Sequence, residues 1–366
     1  MPGANSPGFI RTLPLERLQE VRASHEKLKE STVLRGSSPM ECQCRVQRVH
    51  SALDEIIPSD VAVEKVADGF GFTEGPVWIK QGFLLFSDIP NNVIYKWDST
   101  QGVSEFLKPS GYDGHSAPAG SHIGSNGLTL DRQGKLIICE HGNRRLTRLE
   151  NDGCRTVLAD KYDGKRLNSP NDVVCKSDGA LYFTDPPYGL LKRDADPAKE
   201  LPFNGVYRLT DARLQLLYDG LSRPNGLAFS PDEKHVFVAN SDPRRKIWMR
   251  FDVARDGTLG NGEILYDATH VPTEGVPDGL KVDRLGNLYC TGPGGIWVFS
   301  PSGQHLGTIE FPEVPANCNW GDADGKTLYV TARTSVYRIR LNIEGIRPLV
   351  HPFEVPVSRK RRPPST

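Results

Sequence analysis

The sequence predicts an all-β fold: a six-bladed β-propeller with four-stranded blades and a partly helical N-terminal appendage. Three observations lead to this prediction. A strand–turn–strand pattern recurs six times, further strand-like runs follow each copy, and 36 glycines and 28 prolines among 366 residues favour many turns over long helices. Four strands recurring every ~40–50 residues are typical of propeller blades.

Each copy of the pattern begins with a polar residue, continues with a short apolar run and a turn, and ends with a second apolar run. The six copies are 73–88 (TEGPVWIKQGFLLFSD), 125–140 (SNGLTLDRQGKLIICE), 170–185 (PNDVVCKSDGALYFTD), 224–240 (PNGLAFSPDEKHVFVAN), 277–292 (PDGLKVDRLGNLYCTG) and 316–332 (ANCNWGDADGKTLYVTA). Third and fourth strand-like runs follow, for example at 145–150 and 155–160 in the second copy. We therefore interpret each copy as the start of one blade.

The sixth copy has only three strand-like runs before the chain changes character, at 319–321, 328–332 and 336–341. The segment DVAVEKVA (60–67) precedes the first copy and is predicted to supply the missing fourth strand. Such a closure leaves no open sheet edge between the first and last blades. The predicted propeller spans residues 60–345.

The two ends of the chain differ from the repeats. Residues 1–59 are interpreted as an appendage, partly loose and partly helical, because apolar residues within 15–31 have helical spacing. Residues 346–366 form a basic tail that ends in VSRKRRPPST. We expect a solvated, disordered end, with a nuclear signal or a nucleic-acid contact as the alternative.

Composition argues against several classes of protein. The balance of 45 basic and 45 acidic residues leaves no electrostatic footprint for nucleic acid or for a membrane surface. No apolar stretch approaches the ~20 residues of a membrane span, and the N-terminus lacks the layout of a secretory signal. The seven scattered cysteines fit neither a disulfide framework nor a zinc site. The sequence thus predicts a cytoplasmic protein without nucleic-acid or membrane partners and leaves its oligomeric state open.

The polar residues at the start of the six copies are candidates for a metal site. We call them the anchors: Glu74, Asn126, Asn171, Asn225, Asp278 and Asn317. Because the first strand of every blade is innermost and all run in one direction, the anchors are expected to ring one mouth of the channel. Carboxylate and amide oxygens suit a hard cation such as calcium. Ordinary turn formation by Asn-Gly and Asp-Gly is the alternative, although Glu74 is a poor turn former.

Seven motifs together carry a family resemblance: FTEGPVW, SNGLTLD, CEHGNRR, SPNDVV, YFTDPPYG, RPNGLAFSPD and VPDGLKVD. They resemble the gluconolactonase/senescence-marker-protein (regucalcin) family of six-bladed propellers and, more distantly, diisopropyl-fluorophosphatase. The resemblance covers the repeats and leaves out residues 1–59. It implies one divalent cation in the channel mouth, calcium first, with zinc, magnesium or manganese as alternatives. It also implies hydrolysis of a sugar-derived lactone such as glucono-1,5-lactone.

By blade order, the resemblance assigns Glu74, Asn225 and Asp278 as metal ligands. Asn171 takes the place of an asparagine that completes the coordination or contacts the substrate. The cation is expected to polarise the lactone carbonyl, and Asp278 to act as general base towards the attacking water. Nucleophilic attack by Asp278 itself is the alternative.

Further residues near the anchors are candidates for substrate contacts. Asn126 and Asn317 match no ligand implied by the resemblance and are expected to line the channel, with Asn126 contacting the substrate. His141 and Tyr188 are candidate substrate contacts, each with a simple packing role as the alternative. Asp172 either orients a metal ligand or caps the turn.

Two other functions stay open on the same scaffold. One is phosphotriester hydrolysis at the same metal site, and the other is a non-enzymatic binding module. The converging polar set favours a hydrolase, since a scaffold gains nothing from it. The chain contains no G-x-S-x-G motif, so a serine hydrolase is not expected. The long insertion at 108–124 is predicted to form a lid.

Overall fold

The computed structural model of the protein describes residues 40–42, 45–115, 121–211 and 213–348. Within them lie six sheets of four or five strands and one separate two-stranded hairpin. The innermost strand of each sheet contacts that of the next, and the sixth contacts the first, so the sheets close into a ring. The predicted six-bladed all-β propeller is confirmed. The predicted helix within 15–31 and most of the basic tail lie outside the described residues.

The first described segment contributes strands to the end of the ring. It contains β1 (Met40–Cys42), β2 (Val46–Arg48), the short helix α1 (Leu53–Ile56) and β3 (Val63–Asp68). β3 supplies the fourth strand of blade 6, in agreement with the role predicted for 60–67. β1 then pairs with β3, and β2 pairs with the outer strand of blade 5, so these two blades have five strands.

Blades 1 to 3 are antiparallel four-stranded sheets whose strand order follows the chain from the axis outwards. Blade 1 contains β4 (Thr73–Ile79), β5 (Phe83–Asp88), β6 (Val93–Asp98) and β7 (Gly102–Leu107). Blade 2 contains β8 (Ser125–Leu130), β9 (Leu136–Glu140), β10 (Arg145–Leu149) and β11 (Arg155–Ala159). A hairpin that the sequence did not predict follows, with β12 (Lys161–Tyr162) and β13 (Lys165–Arg166). Blade 3 contains β14 (Val173–Cys175), β15 (Leu181–Asp185), β16 (Gly205–Thr210) and β17 (Arg213–Tyr218), with a 3-10 turn (Arg193–Ala195) between β15 and β16.

Blades 4 to 6 repeat the arrangement. Blade 4 contains β18 (Pro224–Phe229), β19 (His235–Asp242), β20 (Arg245–Val253) and β21 (Leu259–Asp267). Blade 5 contains β22 (Leu280–Val282), β23 (Leu288–Gly292), β24 (Gly295–Phe299) and β25 (His305–Ile309), with β2 outside. Blade 6 contains β26 (Pro315–Gly321), β27 (Thr327–Ala332) and β28 (Ser335–Arg340), followed by β3 and β1.

The hydrophobic core is divided among the blade junctions. Six clusters of buried apolar residues each join two neighbouring blades, and one of them joins blade 6 to blade 1. Aromatic pairs add to these junctions: the Trp248 ring of blade 4 meets the Phe299 ring of blade 5 edge-on, with centroids 5.2 Å apart. Because apolar burial is completed between the sheets, the inner strands can present polar groups to the axis.

Packing extends beyond both predicted ends of the propeller. Leu53, Ile56 and Ile57 are buried in the cluster between blades 5 and 6, although they precede the predicted boundary at residue 60. Their apolar run is too short to resemble a repeat, which is why the sequence assigned it to the appendage. At the other end, Ile346 donates a backbone hydrogen bond to blade 5, and Arg347 donates to the carbonyl of Asp322.

Two further observations concern the thiols and the membrane. The six described cysteines are all unpaired, and Cys139, Cys290 and Cys318 are buried. In the described part of the chain, no helix combines the length and the apolar character that a membrane crossing needs. The cytoplasmic location stays a prediction.

Candidate active site

Five of the six anchors line one cavity of about 740 Å³ at one end of the inner strands. They are Glu74, Asn126, Asn171, Asn225 and Asp278. The first four are almost completely buried, and Asp278 keeps part of its surface open to the cavity. The expected convergence on one channel mouth is therefore found for these five. Asn317 is buried behind Glu74 instead of lining the cavity.

The backbone around the anchors explains why polar residues recur there. In blades 1, 2 and 4 the register of the first strand shifts beside the anchor, which is typical of a β-bulge that redirects side chains. Four anchors lie inside their strands, so they are not turn residues as the alternative interpretation proposed. Asn171 and Asp278 come shortly before β14 and β22.

The glycine that follows most anchors permits close contact between neighbouring blades. Gly75 has a φ of 50°, and a Cβ there would overlap the carbonyl oxygen of Asn126 in the next blade. The same crowding against the next anchor holds for a set of three further glycines: Gly127, Gly226 and Gly279. Blade 3 has Asp172 in this position. The repeated dipeptides thus reflect backbone contact around the axis.

Glu74 is held in place by two hydrogen bonds to the same carboxylate oxygen. The Gly75 N–H donates to Oε2 at 2.7 Å, and Asn317 Nδ2 donates to it at 2.9 Å. Burial raises the pKa of Glu74 to about 7, and the negative charge of Asp172 contributes to the rise. Asn317 therefore acts here by orienting Glu74, a role that the sequence alone did not indicate.

Several buried oxygens of the cavity have no hydrogen-bond donor among the described residues. They are Oδ1 of Asn126, Asn171, Asn225 and Asp278. Buried polar atoms in native proteins are nearly always paired, so a cluster of unpaired acceptors indicates a missing partner. All four atoms accept and none donates, which is the chemistry of a cation site or of a site for hydroxyl groups.

The two carboxylates of the cavity destabilise each other's charged form. Burial raises the pKa of Asp278 well above its usual range, and the charges of Glu74 and Asp172 raise it further. A hydrogen bond from Asn225 acts in the opposite direction. A dication between the carboxylates would remove this repulsion and lower both pKa values.

His141 and Tyr188 both line the cavity, and their contact with a substrate stays a prediction. Asn126 Nδ2 lies 3.1 Å from His141 Nε2, and since an amide nitrogen donates, Nε2 is the acceptor. Burial lowers the pKa of His141 to about 3, so the imidazole is neutral at ordinary pH. Burial and the charge of Asp278 raise the pKa of Tyr188 to about 12, so the phenol keeps its proton.

Asp172 does not line the cavity. Its Oδ1 accepts a hydrogen bond from the Val173 N–H at 2.8 Å, and its Oδ2 lies 3.7 Å from Lys281 Nζ. Both side chains are largely buried, so Asp172 forms a buried ion pair outside the cavity lining. Its charge raises the pKa of Glu74 and of Asp278. The choice between ligand orientation and turn capping stays open.

The rim of the cavity carries charged residues that the sequence analysis did not select. They are Arg193, Arg223, Asp242 and Arg244. Arg193 lies in the connection between β15 and β16, residues 186–204, which also carries Tyr188. The wide gap between the second and third strands of this repeat was the signal in the sequence. The insertion predicted as a lid contributes Tyr112, Ser121, His122 and Ile123 to the lining, and residues 116–120 are not described.

The cation-binding capacity of the cavity depends on asparagine. No group of three or more His, Cys, Asp and Glu side chains in the described residues is arranged to hold a metal ion. The two carboxylates Glu74 and Asp278 share the cavity with the unpaired amide oxygens of Asn171 and Asn225. Such an all-oxygen set fits a hard cation and lacks the nitrogen and sulfur donors typical of zinc.

The chain is similar in sequence and in structure to known gluconolactonases. A gluconolactonase of Zymomonas mobilis is 41% identical over 313 residues, which cover 82% of this chain and 87% of that protein. The structure of a gluconolactonase from Xanthomonas campestris superposes with a TM-score of 0.73 at 32% identity, over 84% of this chain and 98% of that one. Diisopropyl-fluorophosphatase of Loligo vulgaris is 26% identical over 288 residues, which cover 73% of this chain and 87% of that protein.

A family model extends over nearly the whole ring. The model of the SMP-30/Gluconolactonase/LRE-like region matches residues 72–334, from the first strand of blade 1 to the end of the second strand of blade 6. The match includes all six anchors and confirms the resemblance inferred from the motifs. The chain belongs to the SMP-30/gluconolactonase/LRE-like family.

Proposed function

We propose that this protein is a divalent-metal-dependent hydrolase that opens a sugar-type lactone. Glu74, Asn171, Asn225 and Asp278 hold the cation in this proposal. One observation carries it: three buried oxygens, Oδ1 of Asn171, Asn225 and Asp278, belong to residues that line one cavity and have no hydrogen-bond donor in the described residues. The similarity to the gluconolactonases supports the lactone as substrate.

Calcium is the cation that we expect. Calcium takes 6–8 oxygen ligands in flexible geometry, and carboxylates, amide carbonyls and waters all serve. The carboxylates of Glu74 and Asp278 would neutralise one dication. Magnesium demands a stricter octahedron and is one of three alternative ions, with zinc and manganese.

Bound there, a divalent cation supplies a Lewis acid for the lactone carbonyl. Asp278 accepts a proton from the attacking water as the new carbon–oxygen bond forms. The ring carbon–oxygen bond then breaks, and the proton passes to the departing alkoxide, which gives a hydroxy acid. Burial raises the pKa of Asp278, and this opposes the loss of basicity that a nearby cation causes.

Other residues of the cavity would orient the sugar. The Oδ1 of Asn126 and the Nδ1 of His141 are both buried and have no hydrogen-bond partner among the described residues, so they can accept from and donate to sugar hydroxyls, respectively. The neutral state of His141 suits this role, because a neutral ring does not repel the cation. Tyr188 forms part of the cavity wall and contributes a hydroxyl that keeps its proton.

A second candidate function is hydrolysis of an organophosphorus triester or fluoride at the same site. The similarity to diisopropyl-fluorophosphatase is the observation that favours it. A purely structural binding module is disfavoured, because leaving a buried polar group unpaired costs about 1–3 kcal/mol each.

The test compares two substrates on one preparation. Hydrolysis of glucono-1,5-lactone is followed by acid release, corrected for spontaneous opening, with and without a chelator. Diisopropyl fluorophosphate is assayed in parallel. We expect lactone turnover that the chelator abolishes and added calcium restores. Turnover that is indifferent to the chelator would refute the metal requirement, and exclusive fluorophosphate turnover would favour the second candidate.

A further inference from the structure

One connection on the cavity side of the ring is much longer than its counterparts. Residues 186–204 join the second and third strands of blade 3, whereas the same connection in each other blade spans two to four residues. The longer connection brings Tyr188, Leu190, Leu191 and Arg193 to the cavity lining. We call residues 186–204 the blade 3 loop. The other five blades take their places in the ring without such a loop, so ring closure does not require it. We therefore attribute its contribution to the cavity to ligand binding.

Arg193 occupies an unusual backbone and side-chain environment in this loop. Its φ is 51°, in the left-handed region that non-glycine residues occupy at a cost of about 1–3 kcal/mol. Its guanidinium carbon lies 5.4 Å from the centre of the Tyr188 ring. Among the described residues it makes no ion pair and no side-chain hydrogen bond, and it is exposed. The strained backbone thus holds an unpaired cation at the cavity rim.

The other two rim arginines already have anionic partners. Arg223 pairs with Asp194, and Arg244 pairs with Asp242 at 3.1 Å. Their charges are therefore largely compensated within the protein. Arg193 is the rim arginine whose charge is left for a ligand, within the part of the chain that the structure describes.

Tyr188, Arg193 and Asp278 all line the same cavity, and the Arg193 guanidinium lies over the Tyr188 ring. A lactone whose carbonyl lies at Asp278 can therefore extend along the cavity wall towards Arg193. The cavity of about 740 Å³ is large enough for a small ligand that spans both points.

We propose that Arg193 binds an anionic group of the substrate, so that this site prefers sugar-type lactones with a carboxylate or phosphate remote from the reacting carbonyl. This inference rests on the proposed lactonase function. A guanidinium matches the geometry of both anions and forms charge-assisted, often bidentate hydrogen bonds. Tyr188 stabilises the cation from one face and limits its orientations.

The test measures kcat/KM for two matched pairs of lactones. Glucono-1,5-lactone is compared with its 6-phosphate, and glucono-1,4-lactone with glucaro-1,4-lactone, which carries a carboxylate. We expect the protein to prefer the anionic member of at least one pair by about tenfold or more, consistent with a charged hydrogen bond. The pair with the larger ratio identifies phosphate or carboxylate as the anion recognised.

Arg193→Gly is the informative variant, because glycine accepts the left-handed backbone and folding should be preserved. We expect the anionic preference to fall about 10- to 100-fold and turnover of the neutral lactones to change less than about twofold. Arg193→Lys should retain an intermediate preference, since it keeps the charge and loses the fork geometry. Arg244→Ala removes a paired rim cation and should lower the preference less than Arg193→Gly.

The outcomes separate this inference from the proposed function. If neutral lactones are hydrolysed with the anionic preference absent, or with the preference unchanged in Arg193→Gly, only the role of Arg193 is overturned. Equal losses in Arg193→Gly and Arg244→Ala also overturn it, since they indicate diffuse charge. If no lactone is hydrolysed, calorimetry of 6-phosphogluconate, glucarate and gluconate still decides. A preference for either dianion over gluconate that Arg193→Gly abolishes supports Arg193, and equal affinity for all three refutes its role.

Discussion

Asparagines at corresponding positions have different surroundings in blades 3 and 4 and in blade 6. Oδ1 of Asn171 and Oδ1 of Asn225 are buried without a donor among the described residues. In blade 6, Asn317 accepts from the Cys318 N–H at 2.8 Å and donates to Glu74, and Asn319 is bonded through both ends of its amide. Whether the side-chain amide oxygen is hydrogen-bonded, more than the residue type, distinguishes a candidate metal ligand from a structural asparagine.

The difference has an energetic meaning. Each buried acceptor without a partner costs about 1–3 kcal/mol, whereas a satisfied buried amide stabilises the fold and restricts its geometry. The protein retains the unfavourable arrangement at the anchors of blades 2 to 5, which line the cavity, and avoids it at the two asparagines of blade 6. Four experiments test this contrast.

The largest effect is expected from Asp278→Asn, which keeps the shape of the side chain and makes it resemble its asparagine neighbours. The proposed base is lost, so kcat for lactone hydrolysis should fall about 10²–10⁴-fold. The cation-free variant should unfold at no lower a temperature, since a buried carboxyl with a raised pKa has been removed. Initial rates and thermal melts measure both, and an unchanged kcat would contradict the role of Asp278.

Asn225→Ala and Asn171→Ala should weaken cation binding while preserving the fold. Loss of one oxygen ligand should raise the calcium dissociation constant at least about tenfold, equivalent to about 1.4 kcal/mol. Calorimetry on chelator-treated protein measures this change. Calcium affinity equal to that of the unmodified protein in both variants would remove these asparagines from the ligand set.

Asn319→Ala is the matched architectural variant. It leaves the Pro76 carbonyl and the Trp320 N–H without their partner, so the free energy of unfolding should fall about 1–3 kcal/mol. Urea denaturation measures the loss. The calcium dissociation constant should stay within about twofold of the original, and a tenfold weakening would erase the distinction between the two groups of asparagines.

The smallest effect concerns pH. Burial raises the pKa of Glu74 from 4.5 to about 7, so the folded, cation-free protein holds this proton more tightly than the unfolded chain. Stability is therefore lost as the pH rises, by about 1 kcal/mol between pH 6 and 8. Saturating calcium should abolish this loss. Urea denaturation at the two pH values tests it, and higher cation-free stability at pH 8 would contradict the assigned direction.

The repeats made the ring and the anchors predictable from sequence. Each blade starts with the same short pattern, so one alignment places Glu74, Asn126, Asn171, Asn225 and Asp278 at one mouth of the channel. The strand at 60–67 was predictable because the sixth copy lacked a fourth strand. All of these inferences depend on the internal repeat of the sequence.

Features that occur only once in the chain could not be predicted, because no repeat marks them. The blade 3 loop has no counterpart in other repeats, so Arg193 could not be placed by alignment. The strands β1 and β2 are three residues each and carry no clear alternation. The role of Asn317 in orienting Glu74 could not be predicted either, because the two residues lie 243 positions apart in the chain. Such contacts follow from ring closure and not from local pattern.

The glycines beside the anchors have a consequence for the calibre of the channel. Where Gly75 or Gly226 meets the next blade, only the main chain separates one oxygen-bearing residue from its neighbour. The distance between those oxygens is thus set by direct backbone contact between neighbouring blades. A residue with a side chain at either position would force the two sheets further apart. The affinity of the site for an ion therefore depends in part on these glycines, which contribute no side chain to it.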